Sequence, residues 1–353
     1  MGSTVCCCGT TDGLPAGVHK DMAALGAAPD DAVDQAYSAD PFYARDRVLS
    51  RRHMLGLNLL DEFLDEVEFV SLGNYCMLSL ALKALGLRSC SYPLDYTRSS
   101  TRGLIHLFTT GFADFITGQP ITSPEHGVVV QNTAWGGSFW HHDLREPAVR
   151  NAMQRRVQRL LGKGSVPLDK PRMFFRTANT TDELDLTTDL LMLLQSTYSG
   201  PVKLCTCIEL QSGSGPITLA GDLGDDLLFY RISEKYTLTT TQEERIDGFF
   251  DPIAQAIQFW SGAPLLAAQV KSVAEVKGLC DTIQGGNPAN SLFSPAVTAR
   301  PVARSPAPTR KQVPPLESGF AFHEVAAFKL AKGLSAYMPL DVNGIQLWDD
   351  GEE

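Results

Sequence analysis

The chain has 353 residues, 44% of them hydrophobic and 20% charged, with a formal net charge of −10. That length holds one large domain or two small ones with a substantial core, and the composition is that of an ordinary globular protein. The acidic balance excludes a general nucleic-acid binder, because nothing would neutralise the phosphates. No apolar run is long enough to span a bilayer, and no secretory hydrophobic segment follows Met1.

The first residues, Met1-Gly-Ser-Thr-Val-Cys-Cys-Cys8, read as a dual acylation signal. Gly2, exposed after Met removal, would take myristate, and Cys6, Cys7 and Cys8 would take palmitate. One myristoyl chain holds a protein only marginally, whereas an added palmitate makes anchoring stable. Cys6 stands where the myristoylation pattern favours Ser or Thr, so palmitoylation is the better supported half. The expected location is cytoplasmic, on a membrane surface. Residues 1–44, rich in Gly, Ala and Asp, are expected to form a flexible, disordered tether.

A helical stretch is predicted from near Pro41 through Arg51 and Leu60 to Asp65. An apolar strand follows at Glu68–Leu72, then a Gly73-Asn74 turn and a buried helix over Tyr75–Leu85. A further helix is predicted over Thr101–Phe108, with Gly111 after its end. Val128–Val130 reads as a short strand, and Trp135–His142 as a glycine-rich aromatic loop. Met153–Leu161 reads as a helix with a solvated basic face. Strand Arg172–Arg176, helix Asp182–Ser196 and strand Val202–Leu210 form a βαβ pattern, whose usual consequence is a parallel sheet. Leu227–Ile232 adds a strand and Ile253–Trp260 a last helix. The fold class is therefore α/β, a mostly parallel sheet with flanking helices, over residues 45–283. Residues 284–317 form a Pro-rich linker. In 318–353 a helix-like stretch and an Asn343-Gly344 hairpin signal form a small element.

The eight cysteines lack zinc spacings, and Cys205 and Cys207 sit in a buried strand as small core hydrophobes. No cofactor or metal is expected, and the cysteine usage fits a reducing compartment. The acidic run Asp222–Asp226 reads as a solvated turn. Cys76 is different, because it starts a helix. There, unpaired N–H groups and the positive dipole end favour thiolate over thiol. The alternative is core packing beside Met77 and Leu78. Asn74 and Gly73 could supply an oxyanion site or merely the turn, with Asn74 capping the helix. Arg176 closes its strand either as an anion-binding group or as a surface ion pair.

The stretch Ser71-Leu-Gly-Asn-Tyr-Cys76, then Leu82-Lys83 with Gly86-Leu-Arg88, then Ser91-Tyr-Pro-Leu-Asp-Tyr96, resembles the signature of a papain-like cysteine peptidase family. Leu94 and Tyr96 stand where that family favours Phe and Trp, and both keep apolar bulk. Gly111–Phe115 and the pair His142-Asp143 also fit its order. The resemblance covers about Phe69 to Arg176. It implies Cys76 as nucleophile and His142 as base, with Asp95 orienting the imidazole or else serving an Asx-type turn. Extended chain would turn His141 the other way. His53, His106 and His126 are expected to be structural or exposed.

The leading expectation is a membrane-tethered cysteine hydrolase acting on a peptide or related acyl bond. A non-catalytic α/β binding module recruited to membranes is the alternative. A transferase holding an anionic donor at the sheet edge comes third.

Overall fold

The computed structural model describes residues 40–283, apart from 124–126, 179, 222 and 240. The acylation signal at Gly2, Cys6, Cys7 and Cys8, residues 284–317 and the element at 318–353 lie outside the described residues.

The chain enters through a 3-10 turn (Pro41–Tyr43), α1 (Arg45–Met54), a second 3-10 turn (Leu57–Leu60) and α2 (Asp61–Glu66). The single helical stretch expected here is thus divided. Gly56 takes φ +67, a left-handed conformation that ends α1 and redirects the chain. Then come β1 (Glu68–Ser71), α3 (Met77–Ala84), β2 (Thr97–Arg98), α4 (Thr101–Thr109), β3 (Gln119–Ser123), β4 (Gly127–Asn132), β5 (Gly137–Phe139) and α5 (Pro147–Leu160). After β6 (Arg172–Ala178) a 3-10 segment (Thr181–Leu186) leads into α6 (Thr187–Thr197) and β7 (Val202–Gln211). The remainder is β8 (Gly215–Leu219), β9 (Leu227–Ser233), α7 (Glu234–Thr237), α8 (Gln242–Asp247), α9 (Phe250–Trp260), β10 (Ala268–Val270) and α10 (Val273–Gly278).

The larger sheet has the order β1-β6-β7-β9-β8-β10. Strands β1, β6, β7 and β9 run parallel, β8 is antiparallel to β9, and β10 is parallel to β8. The expected βαβ unit is β6-α6-β7, and the mostly parallel sheet is the one predicted. All residues of β1 and β6 are buried, as strands covered on both faces require. Met173, Phe175, Cys205 and Cys207 pack with α3 and α9 on one face. Phe174, Leu204, Ile208 and Phe229 pack with α4, α5 and α6 on the other. Strand β8 went unpredicted because it opens with Gly215-Pro216, which reads as a loop, yet Pro is tolerated at a strand's first positions.

A second, antiparallel sheet has the order β2-β5-β4-β3. The sequence suggests only its strand β4. Strand β5 lies inside the supposed aromatic loop, and Gly137 is there because the Trp135 ring lies over it. A Cβ at that position would come within 1.5 Å of the ring.

The two sheets meet at the end of β1. Gly73 takes φ +77, and a Cβ on it would lie 2.9 Å from the Leu94 carbonyl oxygen and 3.0 Å from that of Thr97. The Ser99 hydroxyl also donates to the Leu72 carbonyl at 3.1 Å. Only glycine satisfies both the backbone angle and the contact. Gly73→Ala is expected to lose on the order of 3 kcal/mol, measured by denaturant unfolding, since neither carbonyl can move without shifting the 94–99 segment.

Candidate functional site

The C-terminal ends of parallel strands are where open α/β sheets place their ligands. Cys76 lies there, after β1. It is the N-cap of α3, 3% exposed, and its carbonyl accepts the Leu80 N–H at 2.9 Å. It also packs in one apolar cluster with Met77, Leu78 and Tyr96. The turn before it is left-handed twice over, at Gly73 and at Asn74 with φ +90. Asn74 is buried but does not cap the helix, which has no side-chain cap. The N-cap is Cys76, two residues on, and Asn74 Oδ1 finds no hydrogen-bond partner among the described residues.

Asp95 is fully buried in the turn that follows α3. One carboxylate oxygen accepts the Tyr92 N–H at 2.8 Å and lies 3.4 Å from Arg88 Nη1. Asp95 thus holds its own turn, by reaching back rather than by the forward Asx pattern. Arg88 ties this turn to α3, because Nη1 also donates to the Ser79 hydroxyl at 2.8 Å and to the Tyr96 hydroxyl at 3.2 Å. Ser79 is one helical turn from Cys76, on the same side of α3.

The Tyr96 ring reaches the histidines. Its centroid lies 5.8 Å from the rings of both His141 and His142. The opposite facing expected of extended chain does not occur, because the backbone bends at Trp140 and His141 on leaving β5. His142 is buried at 8% exposure, and its Nε2 lies 3.4 Å from Nη1 of Arg156. Arg156 corrects a second expectation. It lies in the helix read as having a solvated basic face, yet it is 1% exposed while Arg155 faces outward. Asp143 is engaged elsewhere, paired with Arg145 at 2.6 Å, and this guanidinium holds its carboxyl below the ordinary carboxylate range. His106 lies 3.7 Å from Asp114, and His53 is exposed. His126 lies outside the described residues.

Arg176, near the end of β6, is buried, not on the surface. Nη2 donates to the Ser99 carbonyl at 2.7 Å and pairs with Glu183 at 2.9 Å. Glu183 also accepts from the Thr101 N–H and hydroxyl at 3.3 and 3.0 Å. Burial lowers the Arg176 pKa and Glu183 opposes that shift. The carboxylate that Arg176 holds is therefore the chain's own.

The sequence marks neither Tyr75, which only opens the predicted helix, nor Glu209 as a site residue. The Tyr75 hydroxyl donates to the Glu209 carboxylate, which also accepts from Thr237 Oγ1 at 3.2 Å. In the sequence Glu209 is a single acid at the end of an apolar run, which carries no signal of burial. Among the described residues, no group of three or more His, Cys, Asp or Glu side chains is placed to hold a metal ion.

A thiol at a helix start, on the carboxyl edge of a parallel sheet and in one apolar cluster with Tyr96, whose ring abuts the half-buried His141 and the buried His142, is an arrangement suited to nucleophilic chemistry. Residues 67–208 match the model of a family described as "Putative papain-like cysteine peptidase". The family resemblance therefore holds for that segment, which contains Cys76, Asp95, His142 and Arg176. No curated protein and no solved structure matches the chain.

Arg176→Ala is expected to cost on the order of 3 kcal/mol in denaturant unfolding, because it removes a buried guanidinium and leaves the half-buried Glu183 without its cation. The double replacement Arg176→Met with Glu183→Leu should recover most of that loss.

Proposed function

We propose that this chain is a membrane-tethered cysteine hydrolase acting on a peptide or related acyl bond. The observation that carries the reading is the placement of Cys76, which follows a doubly left-handed turn as the N-cap of α3, within the segment that matches the peptidase family. In the proposed reaction the Cys76 thiol gives its proton to His142 and the thiolate attacks the carbonyl carbon. The C–N or C–O bond breaks, the leaving group takes that proton, and water then hydrolyses the acyl-enzyme. Asp95 would steady the imidazole from behind, by fixing Arg88 and with it Tyr96, whose ring abuts His142. The Gly73 N–H already donates to the Ser71 hydroxyl at 3.3 Å, so the oxyanion donors would be backbone N–H groups that follow it in the turn.

Alkylation of the full chain with iodoacetamide across pH, with peptide mapping to isolate Cys76, tests this reading. The expected result is fast labelling with an apparent pKa well below that of a free thiol. His142→Ala should slow it about tenfold or more at neutral pH. Labelling of Cys76 only on unfolding would instead favour the binding-module reading, which its membership of the apolar cluster supports.

The membrane tether rests on Gly2 and Cys6–Cys8 alone. No helix among the described residues is long and apolar enough to cross a membrane. Metabolic labelling with alkyne fatty acids should incorporate palmitate into the full chain, and replacing Cys6, Cys7 and Cys8 with Ser should release it from the membrane fraction. Unchanged membrane partitioning of that variant would refute the anchor.

A further inference from the structure

We propose that Glu209 is a positioning residue for the Cys76 site, holding through Tyr75 the turn that delivers the thiol to the start of α3. This rests on the thiol reading above, and Glu209 lies just beyond the segment that the peptidase family model covers.

The placement of Glu209 inverts what a strand end ordinarily does. At the end of β7 the register against β9 shifts between Ile208 and Gln211, and Leu210 takes φ +57. The irregularity leaves Leu210 37% exposed and Glu209 only 8% exposed. An apolar side chain faces outward and a carboxyl faces inward, the costly choice on both counts. Bulges near functional sites re-aim side chains in this way. The backbone strain is equally local. Among the described residues, the non-glycine positions with positive φ are Asn74, Phe112 and Leu210. Asn74 and Leu210 adjoin Tyr75 and Glu209, the two ends of one hydrogen bond. Strain at both ends of a single contact, one residue from Cys76, is explained if that contact sets the thiol's position.

Four neighbours face the carboxyl: Tyr75 from the turn before α3, Thr237 from α7, Arg245 from α8 and Cys207 from β7. Burial raises the Glu209 pKa from 4.5 to about 7, against the pull of the Tyr75 and Thr237 hydrogen bonds and of the Arg245 charge. The folded protein thus keeps a proton on Glu209 that the unfolded chain has released. This contribution to stability is complete below pH about 4.5 and is lost as pH rises through about 7. Over the same upper range the carboxylate forms and its bond from Tyr75 becomes charge-assisted, so the turn is held more firmly.

The test compares iodoacetamide labelling of Cys76, by peptide mapping, in the full-length wild type and four variants from pH 5 to 9. Glu209→Met and Tyr75→Phe should each slow labelling at pH 8 about fivefold, as the loss of one modest hydrogen bond implies. The double variant should be no slower than the slower single one, because both remove the same contact. Glu209→Gln keeps an acceptor and loses the titration. It should therefore lack the wild-type inflection near pH 7 and label at pH 8 between the wild type and Glu209→Met, because a neutral acceptor keeps the bond without the charge. Folded variants that label as wild type, or single effects that multiply in the double variant, would overturn the proposal. If Glu209→Met fails to fold, Tyr75→Phe decides alone by the same criterion. Wild-type Cys76 that labels only on unfolding would overturn the thiol reading and this inference with it. Fast wild-type labelling left unchanged by every variant would overturn this inference alone.

Discussion

The constraint on which the structure depends is the close approach of the 94–99 backbone to Gly73. It sets the antiparallel sheet against the parallel one, since its strand β2 begins at Thr97, and the apolar core shared by Phe139 and Phe174 packs around that junction. Ser99 extends the junction. Its hydroxyl binds the Leu72 carbonyl, and its own carbonyl accepts from Arg176. Glu183 completes it by pairing with Arg176 and accepting the Thr101 N–H at the start of α4. One guanidinium thus joins the end of β6, the exit of β2, the start of α4 and the following 3-10 segment. A buried ion pair adds little net stability over apolar packing of equal volume. What it supplies here is direction, because carbonyl and carboxylate fix the guanidinium plane from different elements.

Two carboxylates at opposite ends of the sheet show how differently a buried acid can be used. Glu68, at the start of β1, receives Lys170 at 2.9 Å, the Tyr92 hydroxyl at 2.9 Å and the Ser89 hydroxyl. A cation and two hydroxyls compensate its burial and close the amino end of the sheet. At the carboxyl end, Glu209 is held by the hydroxyls of Tyr75 and Thr237, and its acid form persists to about pH 7. The first arrangement is what structural saturation looks like. The second keeps a proton in play close to the thiol's helix.

The parallel sheet was legible because its strands are continuous apolar runs separated by a helix with acidic residues at its start, a pattern with few other outcomes. The helix after β1 was legible for a similar reason. The antiparallel sheet was not, since β2 has two residues, β5 has three, and both are defined by partners distant in sequence. Periodicity also failed at Arg156. Adjacent arginines on a helix point about 100° apart, so Arg155 and Arg156 can meet solvent and core respectively, and composition cannot tell which. For the candidate site, the turn and its cysteine could be read from the sequence. The neighbours Tyr96, Arg88 and Arg156 could not be placed around it, because their grouping depends on the junction at Gly73.

Burial alone does not separate a reactive thiol from a packed one, and the chain contains its own comparison. Cys205 and Cys207 are fully buried in the regular part of β7. Their mutual contact first, and burial next, push the Cys207 thiol well above its ordinary value. That is how this fold accommodates inert cysteines: on a strand, in register, with no backbone cost. Cys76 is equally shielded, yet it follows consecutive left-handed residues at Gly73 and Asn74, the second of them not a glycine. Filling space with a small hydrophobe requires neither. The backbone strain before Cys76 is therefore better explained by where it places the sulfur than by what the sulfur packs against.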